Sequence, residues 1–438
     1  MTRTTFAGGI HPYEGKELSK DKPIQDILPG KELVFPLSQH IGAPAVPIVE
    51  VGDRVLAGQQ IARAEGYVSA CICASVSGTV RAIEPRRVVT GDMVQSIIIE
   101  NDEKYEEFSI REPNSWKEMT GEEIISYIRR AGIVGMGGAG FPTHVKLSVK
   151  KPEKIEYVIV NCAECEPYLT SDYRRMVEEP DKILQGLQIV LSLFPNAKGI
   201  LAIEDNKEDC IKLFKEKTVD EARILVKKLK TKYPQGAERS LIYAVTKRKL
   251  DSSRLPADVG CVVNNADTIV AIYTAVTKAR PLTERIVTIT GDAIRNPGNF
   301  RVKIGMNYNE LVEAAGGFKK EPEKIISGGP MMGFSIFELA VPATKTTSAL
   351  VCLTKDEVSL LEPTACINCG RCLEACPARL MPNKLADLAA GHREEEFQNY
   401  YGMECVECGC CSYVCPAKRY LAQNIKSMRR LLLGKKKK

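Results

Sequence analysis

At 438 residues the chain is too long for one ordinary domain, and we expect three or four domains. Its composition, 44% hydrophobic and 26% charged, is typical of packed globular domains, and no apolar run approaches the roughly 20 residues that a membrane-spanning helix needs. The net charge of +6 is modest, and seven basic residues without an acidic one form a tail at 426–438. This tail is either solvated or in contact with anionic lipid or an acidic partner. Nucleic acid is not expected, because no aromatic residues alternate with the basic ones.

The N-terminal segment, residues 1–30, precedes a β-rich module at residues 31–110. Residues 51–62 and 77–80 of this module resemble the barrel-sandwich domains that carry a lipoyl or biotinyl group on a hairpin Lys. No Lys occurs between Ile61 and Arg81. The resemblance therefore implies the fold without the carrier function, and we interpret the module as a structural or docking element.

Residues 115–284 alternate between helical and extended patterns, which predicts an α/β domain with a mostly parallel sheet. A capping box at Thr120–Glu123 predicts a helix start. Extended and helical runs then follow at 155–160, 181–194, 197–203 and 207–217. A small α+β pattern occupies residues 285–350.

A glycine-rich stretch, Gly135 to Gly140, matches G-x-G-x-x-G, although a helical pattern rather than a strand precedes it. Glycines let the backbone approach a ligand, and the N–H groups at a helix start attract phosphate. Lys146 could add a positive charge. The alternative is a tight turn without a ligand.

Sixteen cysteines in a chain of this length indicate metal more than disulfides. Nine of them lie in residues 358–425, where two runs share the spacing C-x2-C-x2-C-x3-C-P, which is typical of [4Fe–4S] clusters. The fourth cysteine of each run usually reaches the other cluster. We therefore assign Cys366, Cys369, Cys372 and Cys415 to cluster 1, and Cys405, Cys408, Cys411 and Cys376 to cluster 2.

Structural zinc is the competing interpretation of paired C-x2-C elements, but zinc does not require a third cysteine followed by Cys-Pro. Cys410 neighbours Cys411 and could be mistaken for a ligand, and the spacing of the first run favours Cys411. Helical patterns at 384–390 and 394–400 link the runs, which predicts a helical ferredoxin domain.

Three motifs in the α/β region follow one another: Phe141 to Lys146, Asn161 to Pro167 and Asn264 to Thr268. Together they resemble the flavin- and NADH-binding core of the NADH-oxidising subunit of respiratory complex I. Three further features make the resemblance more specific. They are the Gly-Gly-Ile-His-Pro sequence at 8–12, the barrel-sandwich module and the tandem cysteine runs. The chain as a whole resembles the RnfC family, the C subunits of Rnf complexes, which are membrane-bound, ion-translocating ferredoxin–NAD oxidoreductases.

This resemblance implies contacts with FMN from Gly135, Gly137, Lys146, Asn161, Glu164, Asn264, Asn265 and Thr268. It implies contacts with NADH from Phe141, Glu166 and, by a looser alignment, Glu238. Three positions depart from the family pattern: Ala163 stands in place of Asp, Cys165 in place of Ser and Leu147 in place of Trp. The same resemblance implies an SLBB-like β-grasp domain at residues 285–350.

NADH gives up two electrons at once and a [4Fe–4S] cluster accepts one, so a flavin between them is chemically required. The hypothesis is hydride exchange between NAD(H) and FMN, followed by single-electron transfer through two clusters to or from a partner. The resemblance implies that the partners are other Rnf subunits, especially the ferredoxin-like iron–sulfur subunit, and a peripheral location on the cytoplasmic face of the membrane. Two alternatives are a relay subunit without an NADH site and the flavin subunit of a soluble hydrogenase or formate dehydrogenase.

Overall fold

The computed structural model describes residues 4–109, 113 and 115–435. Strand β1 (Ile24–Asp26) lies in the N-terminal segment, ahead of the barrel-sandwich module. The module contains β2 (Glu32–Pro36), β3 (Val46–Pro47), β4 (Arg54–Val55), β5 (Gln60–Arg63), β6 (Ile72–Cys73), β7 (Gly78–Arg87) and β8 (Met93–Asn101). These strands form two antiparallel sheets, ordered β2-β8-β7-β4 and β3-β5-β6, which confirms the predicted module fold.

A buried lysine helps to fix the module to the rest of the chain. Lys345, only 1% exposed, donates from Nζ to the carbonyl oxygens of Cys71 (2.5 Å) and Gly132 (2.7 Å). The N–H of Ile41 donates to the carbonyl of Gly140 at 3.2 Å. The residue before β6 and the loop after β2 therefore contact the chain on either side of the glycine-rich loop.

The α/β core begins with the predicted capping box, in which the Thr120 N–H donates to Glu123 Oε2 (2.7 Å) and the Glu123 N–H to Thr120 Oγ1 (3.3 Å). Its helices are α1 (Gly121–Arg130), α2 (Thr143–Leu147), α3 (Ser171–Glu178), α4 (Pro180–Ser192), α5 (Glu208–Lys217), α6 (Glu238–Thr246) and α7 (Ala266–Lys278). Its strands are β9 (Tyr157–Cys162), β10 (Lys198–Glu204), β11 (Ile224–Leu229) and β12 (Cys261–Asn265). All three strand pairs are parallel, in the order β11-β10-β9-β12, as the alternating pattern predicts.

The β-grasp domain contains β13 (Glu284–Thr290), β14 (Gly298–Lys303), α8 (Tyr308–Ala314), β15 (Lys324–Ser327), β16 (Phe334–Ile336) and β17 (Ala349–Leu353). Its sheet has six strands in the order β1-β14-β13-β17-β15-β16. The edge strand β1 comes from the N-terminal segment and pairs in parallel with β14. The N-terminal segment is therefore part of this sheet, which the sequence did not indicate.

The cluster domain contains α9 (Arg371–Ala375), α10 (Pro382–Ala390), α11 (Glu394–Asn399), α12 (Cys410–Tyr413) and α13 (Leu421–Lys435). The prediction of a separate basic tail from residue 426 is wrong for residues 426–435, because they continue α13. Ile425, Met428 and Leu432 recur at helical spacing and are buried in the apolar core of this domain. Residues 436–438 lie outside the described residues. None of the described helices combines the length and the apolar composition needed to cross a bilayer.

Helices α4 and α7 approach closely at Gly186, where a Cβ atom would lie 2.3 Å from the carbonyl oxygen of Ile269. Gly186→Ala is expected to force the helices apart and to cost about 1–3 kcal/mol in the free energy of unfolding. Gly434→Ala is the matched control, because this helical glycine has no neighbour within 4 Å of a Cβ position. Thermal unfolding should show a lower Tm for the first variant only, and equal Tm values would contradict the close approach.

Candidate functional site

The candidate flavin site lies at the carboxyl edge of the parallel sheet, where β9 and β12 end side by side. Asn161 of β9 is in register with Asn265 of β12. The strand order reverses beside β9, because the chain passes to β10 and β11 on one side and returns to β12 on the other. Ligands of open α/β sheets bind at such a reversal. The topology therefore brings two of the three sequence motifs together at one edge.

The glycine-rich loop is fastened to this edge by two hydrogen bonds. The N–H of Gly135 donates to the carbonyl oxygen of Phe141 (2.8 Å), which closes the loop on itself. The N–H of Met136 donates to Oγ1 of the fully buried Thr268 (3.0 Å), which joins the loop to the start of α7. Thr268 therefore acts on the loop backbone in the structure, and any contact with FMN is a further role.

The next two glycines have contrasting surroundings. A Cβ atom at Gly137 would lie 2.9 Å from the Cβ of Asn265, so only glycine fits without displacement. A Cβ atom at Gly138 would meet no atom within 4 Å, and residues 137–139 are exposed. The loop therefore packs tightly against the end of β12 on one side and borders open space on the other.

Asn264 is buried at this edge with no partner for its amide. It is 3% exposed, yet neither Oδ1 nor Nδ2 makes a hydrogen bond to any described residue. The neighbouring Asn265 is fully engaged, because its Oδ1 accepts from the Asp267 N–H (2.8 Å) and its Nδ2 donates to Asp172 Oδ2 (2.7 Å). Leaving a buried amide unpaired costs free energy, so such a group needs an explanation. A ligand that offers both a donor and an acceptor would satisfy Asn264.

Lys146 and Glu238 come from different segments and meet at the mouth of the site. Lys146 Nζ donates to the carbonyl oxygen of Val263 (3.0 Å) and lies 3.7 Å from Glu238 Oε1. Glu238 is exposed and is the first residue of α6. Glu238, which the resemblance implied only by a looser alignment, therefore lies beside Lys146, another predicted site residue.

Asn161 uses its amide to shape the loop that follows β9. Its Nδ2 donates to the carbonyl oxygen of Gly236 (2.8 Å), and its Oδ1 accepts from the N–H of Ala163 (3.2 Å). A Cβ atom at Gly236 would lie 3.4 Å from the Cβ of Ala163. Ala163, one of the departures from the family pattern, is thus fully buried beneath Gly236.

Glu164 adopts a left-handed backbone conformation, with φ of 48°. Its Oε1 accepts from the N–H of Asp172 (2.7 Å), and its Oε2 lies 3.7 Å from Nζ of Lys16. Non-glycine residues in this conformation store strain and are concentrated at ligand sites. The positive charge of Lys16, which has no signal in the sequence, explains how the buried carboxylate is tolerated.

Glu166 contacts the β-grasp domain. Its Oε2 accepts from the N–H of Met331 at 3.2 Å, and a Cβ atom at Gly329 would lie 2.2 Å from that oxygen. Burial raises the pKa of Glu166 to about 7. The structure therefore places this predicted NADH residue against the β-grasp domain. Phe141, the other one, is half-buried at the end of the glycine-rich loop.

A buried ionic triad beneath the loop was not predicted from the sequence. Asp267 accepts from Arg175 Nε (2.9 Å) and from Arg285 Nη1 (2.7 Å), and Arg285 Nη2 also donates to the carbonyl oxygen of Met136 (3.3 Å). Burial opposes ionisation, but the two guanidinium groups hold the pKa of Asp267 below its ordinary value. The triad fixes the loop backbone from below. Its members lie far apart in the chain, so no local pattern reveals it.

The cysteine runs line two separate cavities, and each cavity takes the fourth cysteine from the other run. One cavity is lined by Cys366, Cys369, Cys372 and Cys415. The other is lined by Cys376, Cys405, Cys408, Cys410 and Cys411. In the part of the chain that the structure describes, no three His, Cys, Asp or Glu side chains are close enough to share a single ion. Each cavity is therefore lined by the four cysteines that their spacing assigns to one cluster.

The two runs repeat the same backbone conformation. Asn368 and Glu407 occupy equivalent positions and are both left-handed, with φ of 54° and 56°, and the glycines two residues later, Gly370 and Gly409, both have φ of 78°. This equivalence matches Cys411 with Cys372. Cys410 lines the second cavity as well, and its Sγ lies 3.9 Å from the carbonyl oxygen of Tyr233.

The second cavity lies against the α/β core, whereas the first faces solvent. Tyr233, 1% exposed, donates its hydroxyl to the carbonyl oxygen of Cys408 (2.8 Å). Cys165 and Met331 pack in the same apolar cluster as these two residues. In the first run, Cys366 and Cys369 are exposed.

Four family models match consecutive parts of the chain. They are the RnfC barrel sandwich hybrid domain (residues 4–104), the Nuo51 FMN-binding domain (128–274), the SLBB domain (286–335) and a 4Fe-4S dicluster domain (359–416). The chain is 46% identical over 401 residues to the C subunit of the proton-translocating ferredoxin:NAD(+) oxidoreductase complex of Clostridium ljungdahlii, covering 91% of this chain and 87% of the relative. It is 41% identical over 435 residues to the C subunit of the Na(+)-translocating complex of Acetobacterium woodii, covering 99% and 98%.

The chain belongs to the RnfC family. The resemblance stated from the sequence motifs is therefore confirmed, as are the four domain types. A chain of an NAD+-reducing [NiFe]-hydrogenase has a similar fold, with a TM-score of 0.51 and 16% identity over 73% of this chain and 62% of that one. At this identity the likeness concerns the fold alone.

Asp172 offers a pH-dependent test of the site. Burial, together with the carboxylates of Glu164 and Asp267, raises its pKa from 3.8 to about 7. The folded chain therefore binds this proton more tightly than the unfolded chain, so the stabilising contribution is complete below pH 3.8 and is lost as the pH rises through about 7. Asp172→Asn should remove this slope and raise stability at about pH 8, by on the order of 1–4 kcal/mol.

The measurement is Tm between about pH 5 and about pH 8, where the difference between variant and wild type should grow with pH. Asp181→Asn, at an exposed carboxylate, is the control and should run parallel to the wild type. A constant difference for Asp172→Asn across this range would contradict the assignment.

Proposed function

We propose that this chain is the NAD(H)- and flavin-binding electron-transfer subunit of an Rnf-type ferredoxin:NAD oxidoreductase complex. The unpaired buried amide of Asn264, at the strand edge beside the glycine-rich loop, is the observation that carries the proposal. A flavin ring edge presents both carbonyl and N–H groups, which is what this amide lacks. The family models support FMN and two [4Fe–4S] clusters as the cofactors.

The proposed FMN residues divide into those that shape the site and those free to meet a ligand. Thr268, Asn161 and Asn265 hold the loop backbones through the hydrogen bonds described above. Asn264 is free to bind the flavin, and Lys146 stands at the mouth, where a phosphate would offset its charge. When bound, FMN supplies the conversion between two-electron exchange with NADH and one-electron exchange with the clusters.

Phe141 and Glu238 are proposed to contact the nicotinamide nucleotide from the open side of the loop. Glu166 would act from the opposite side, between the flavin and cluster 2. No side chain is needed as a general acid or base, because the protein contributes placement and electrostatics.

The burial of the two cluster cavities supports an order for the electrons. Cluster 2 is proposed as the member next to the flavin, because Cys408 packs with Tyr233 and Cys165 of the α/β core. Cluster 1 is proposed as the outlet, because Cys366 and Cys369 are exposed and can approach a partner protein. Under this proposal the partners are other Rnf subunits, especially the ferredoxin-like iron–sulfur subunit, and the chain is peripheral on the cytoplasmic face of the membrane.

The test is the visible spectrum of the anaerobically purified chain during a titration with NADH. We expect FMN to be released on denaturation, the flavin band to bleach with NADH and the clusters to become reduced. A cluster spectrum that does not respond to NADH would favour the relay subunit without its own nucleotide site.

Asn264→Leu is expected to weaken FMN binding by about tenfold to 100-fold, because the flavin loses its amide partner. The Tm of the flavin-free chain should not fall, since the amide has no internal partner to lose and the change removes an unpaired buried polar group. Asn299→Leu is the contrast, because that buried amide bonds Ser19, Thr170 and Thr288 and its loss should lower Tm. Unchanged FMN affinity in Asn264→Leu would contradict the proposed site.

The ligand assignment is tested by a pair of adjacent cysteines. Cys411→Ser should remove cluster 2, and iron should fall from about eight to about four atoms per chain. Cys410→Ser should keep about eight, because it replaces a thiol that is outside the repeated spacing. Iron analysis and EPR after dithionite reduction measure both, and the reverse pattern would show that Cys410 is the ligand.

A further inference from the structure

The N-terminal segment crosses the junction between the α/β core and the cluster domain. It begins along the end of the parallel sheet, where Thr4 pairs with Leu229 as an isolated bridge. The ammonium group of Lys232 then donates to the carbonyl oxygen of Phe6 (3.2 Å) and lies 4.7 Å from the centre of its ring. These contacts bring the following residues to the cluster domain.

Gly8 and Gly9 lie directly on the backbone of a proposed cluster 2 ligand. The N–H of Gly9 donates to the carbonyl oxygen of Ala375 at 2.8 Å. A Cβ atom at Gly8 would lie 2.6 Å from the carbonyl oxygen of Cys376 and 2.8 Å from its carbonyl carbon. Gly8 also has φ of 81°, which side chains rarely adopt. Only glycine allows the segment to approach Cys376 this closely.

The next residue connects the same segment to the α/β core. Ile10 and Tyr233 exchange two backbone hydrogen bonds, of 2.8 and 2.9 Å. The Tyr233 hydroxyl donates to the carbonyl oxygen of Cys408, a second cluster 2 ligand. Cluster 2 is thus fixed from two directions, through Cys376 by the N-terminal segment and through Cys408 by Tyr233.

The far end of the segment reaches the loop that follows β9. Lys16 Nζ is buried and donates to the carbonyl oxygens of Glu164 (2.9 Å), Glu166 (3.1 Å) and Leu169. One stretch of chain therefore contacts the candidate flavin site at Lys16 and cluster 2 at Gly8.

We propose that residues 8–16 are a positioning segment that sets the separation of the flavin and cluster 2, and thereby the rate of electron transfer between them. This inference rests on the proposed function. With both groups bound, the anionic reduced flavin formed by hydride transfer would pass its two electrons to cluster 2 one at a time and its one proton to solvent, and residues 8–16 would set the distance over which the electrons move. Electron tunnelling falls steeply with distance, so a small displacement of the cluster domain slows this step while the reaction with NADH is unaffected.

The first test is Gly8→Ala in the full-length chain with its cofactors. The added methyl group must displace either the segment or Cys376. In anaerobic stopped-flow measurements, bleaching of the flavin by NADH should keep its wild-type rate constant. Reduction of the clusters should slow on the order of 10-fold to 100-fold, as expected for a misplaced reacting partner.

Gly91→Ala is the matched control. Gly91 has φ of 86°, close to that of Gly8, but a Cβ atom there would meet nothing within 4 Å. The control carries the same backbone strain in the β7–β8 turn, so it should transfer electrons at the wild-type rate. Equal cluster reduction rates in Gly8→Ala and Gly91→Ala, with both clusters present, would overturn the proposal.

Tyr233→Phe is the second variant, for the case in which Gly8→Ala loses iron. It removes the hydroxyl that bonds the carbonyl oxygen of Cys408 and that also interacts with the carboxyl of Glu166. With full iron content, slower cluster reduction and altered EPR g-values of cluster 2 support the proposal, and a wild-type rate overturns it.

If NADH fails to reduce the wild-type flavin, the proposed function fails. Photoreduction of the flavin then still measures its electron transfer to cluster 2, so the two failures are distinguishable.

Discussion

The arrangement of the cofactor sites depends on the burial of Tyr233 where three parts of the chain meet. Its backbone pairs with the N-terminal segment, its hydroxyl bonds the second cysteine run, and its ring packs in an apolar cluster with Ile10, Ala375 and Cys408. A buried tyrosine of this kind combines a large apolar surface with one directed polar contact. The contact therefore gives the domain junction both stability and a defined geometry.

Around the candidate flavin site, buried charges are neutralised by groups from distant parts of the sequence. Lys16 meets carbonyl oxygens of the loop after β9, and Asp267 meets two guanidinium groups beneath the glycine-rich loop. Breaking any such pair would leave an uncompensated charge in a region of low dielectric constant. The loops are thus fixed before a ligand arrives, and the buried amide of Asn264 is left without an internal partner.

Local patterns in the sequence were sufficient to predict those features that depend on the spacing of residues. The cysteine runs predicted two clusters, and the alternation of patterns predicted the parallel sheet that brings Asn161 and Asn265 to one edge. The sequence did not indicate β1 in the β-grasp sheet, the role of Lys16 or the helical continuation through Met428. The first two arise from contacts between residues far apart in the chain. The helical continuation through Met428 was not predicted, because basic residues predominate in this part of the helix and its buried face is narrow.

The barrel-sandwich module has the fold of a carrier domain, but its hairpin is held in place by another domain. In carrier proteins the hairpin tip must travel between active sites. Here the carbonyl oxygen of Cys71, at the β6 end of the hairpin loop, accepts a hydrogen bond from Lys345, which also donates to the carbonyl oxygen of Gly132 ahead of the glycine-rich loop. A lysine thus contacts the hairpin, but it comes from another domain and acts as an anchor. The hairpin that moves in a carrier protein is held in place here, and it supports the neighbouring glycine-rich loop.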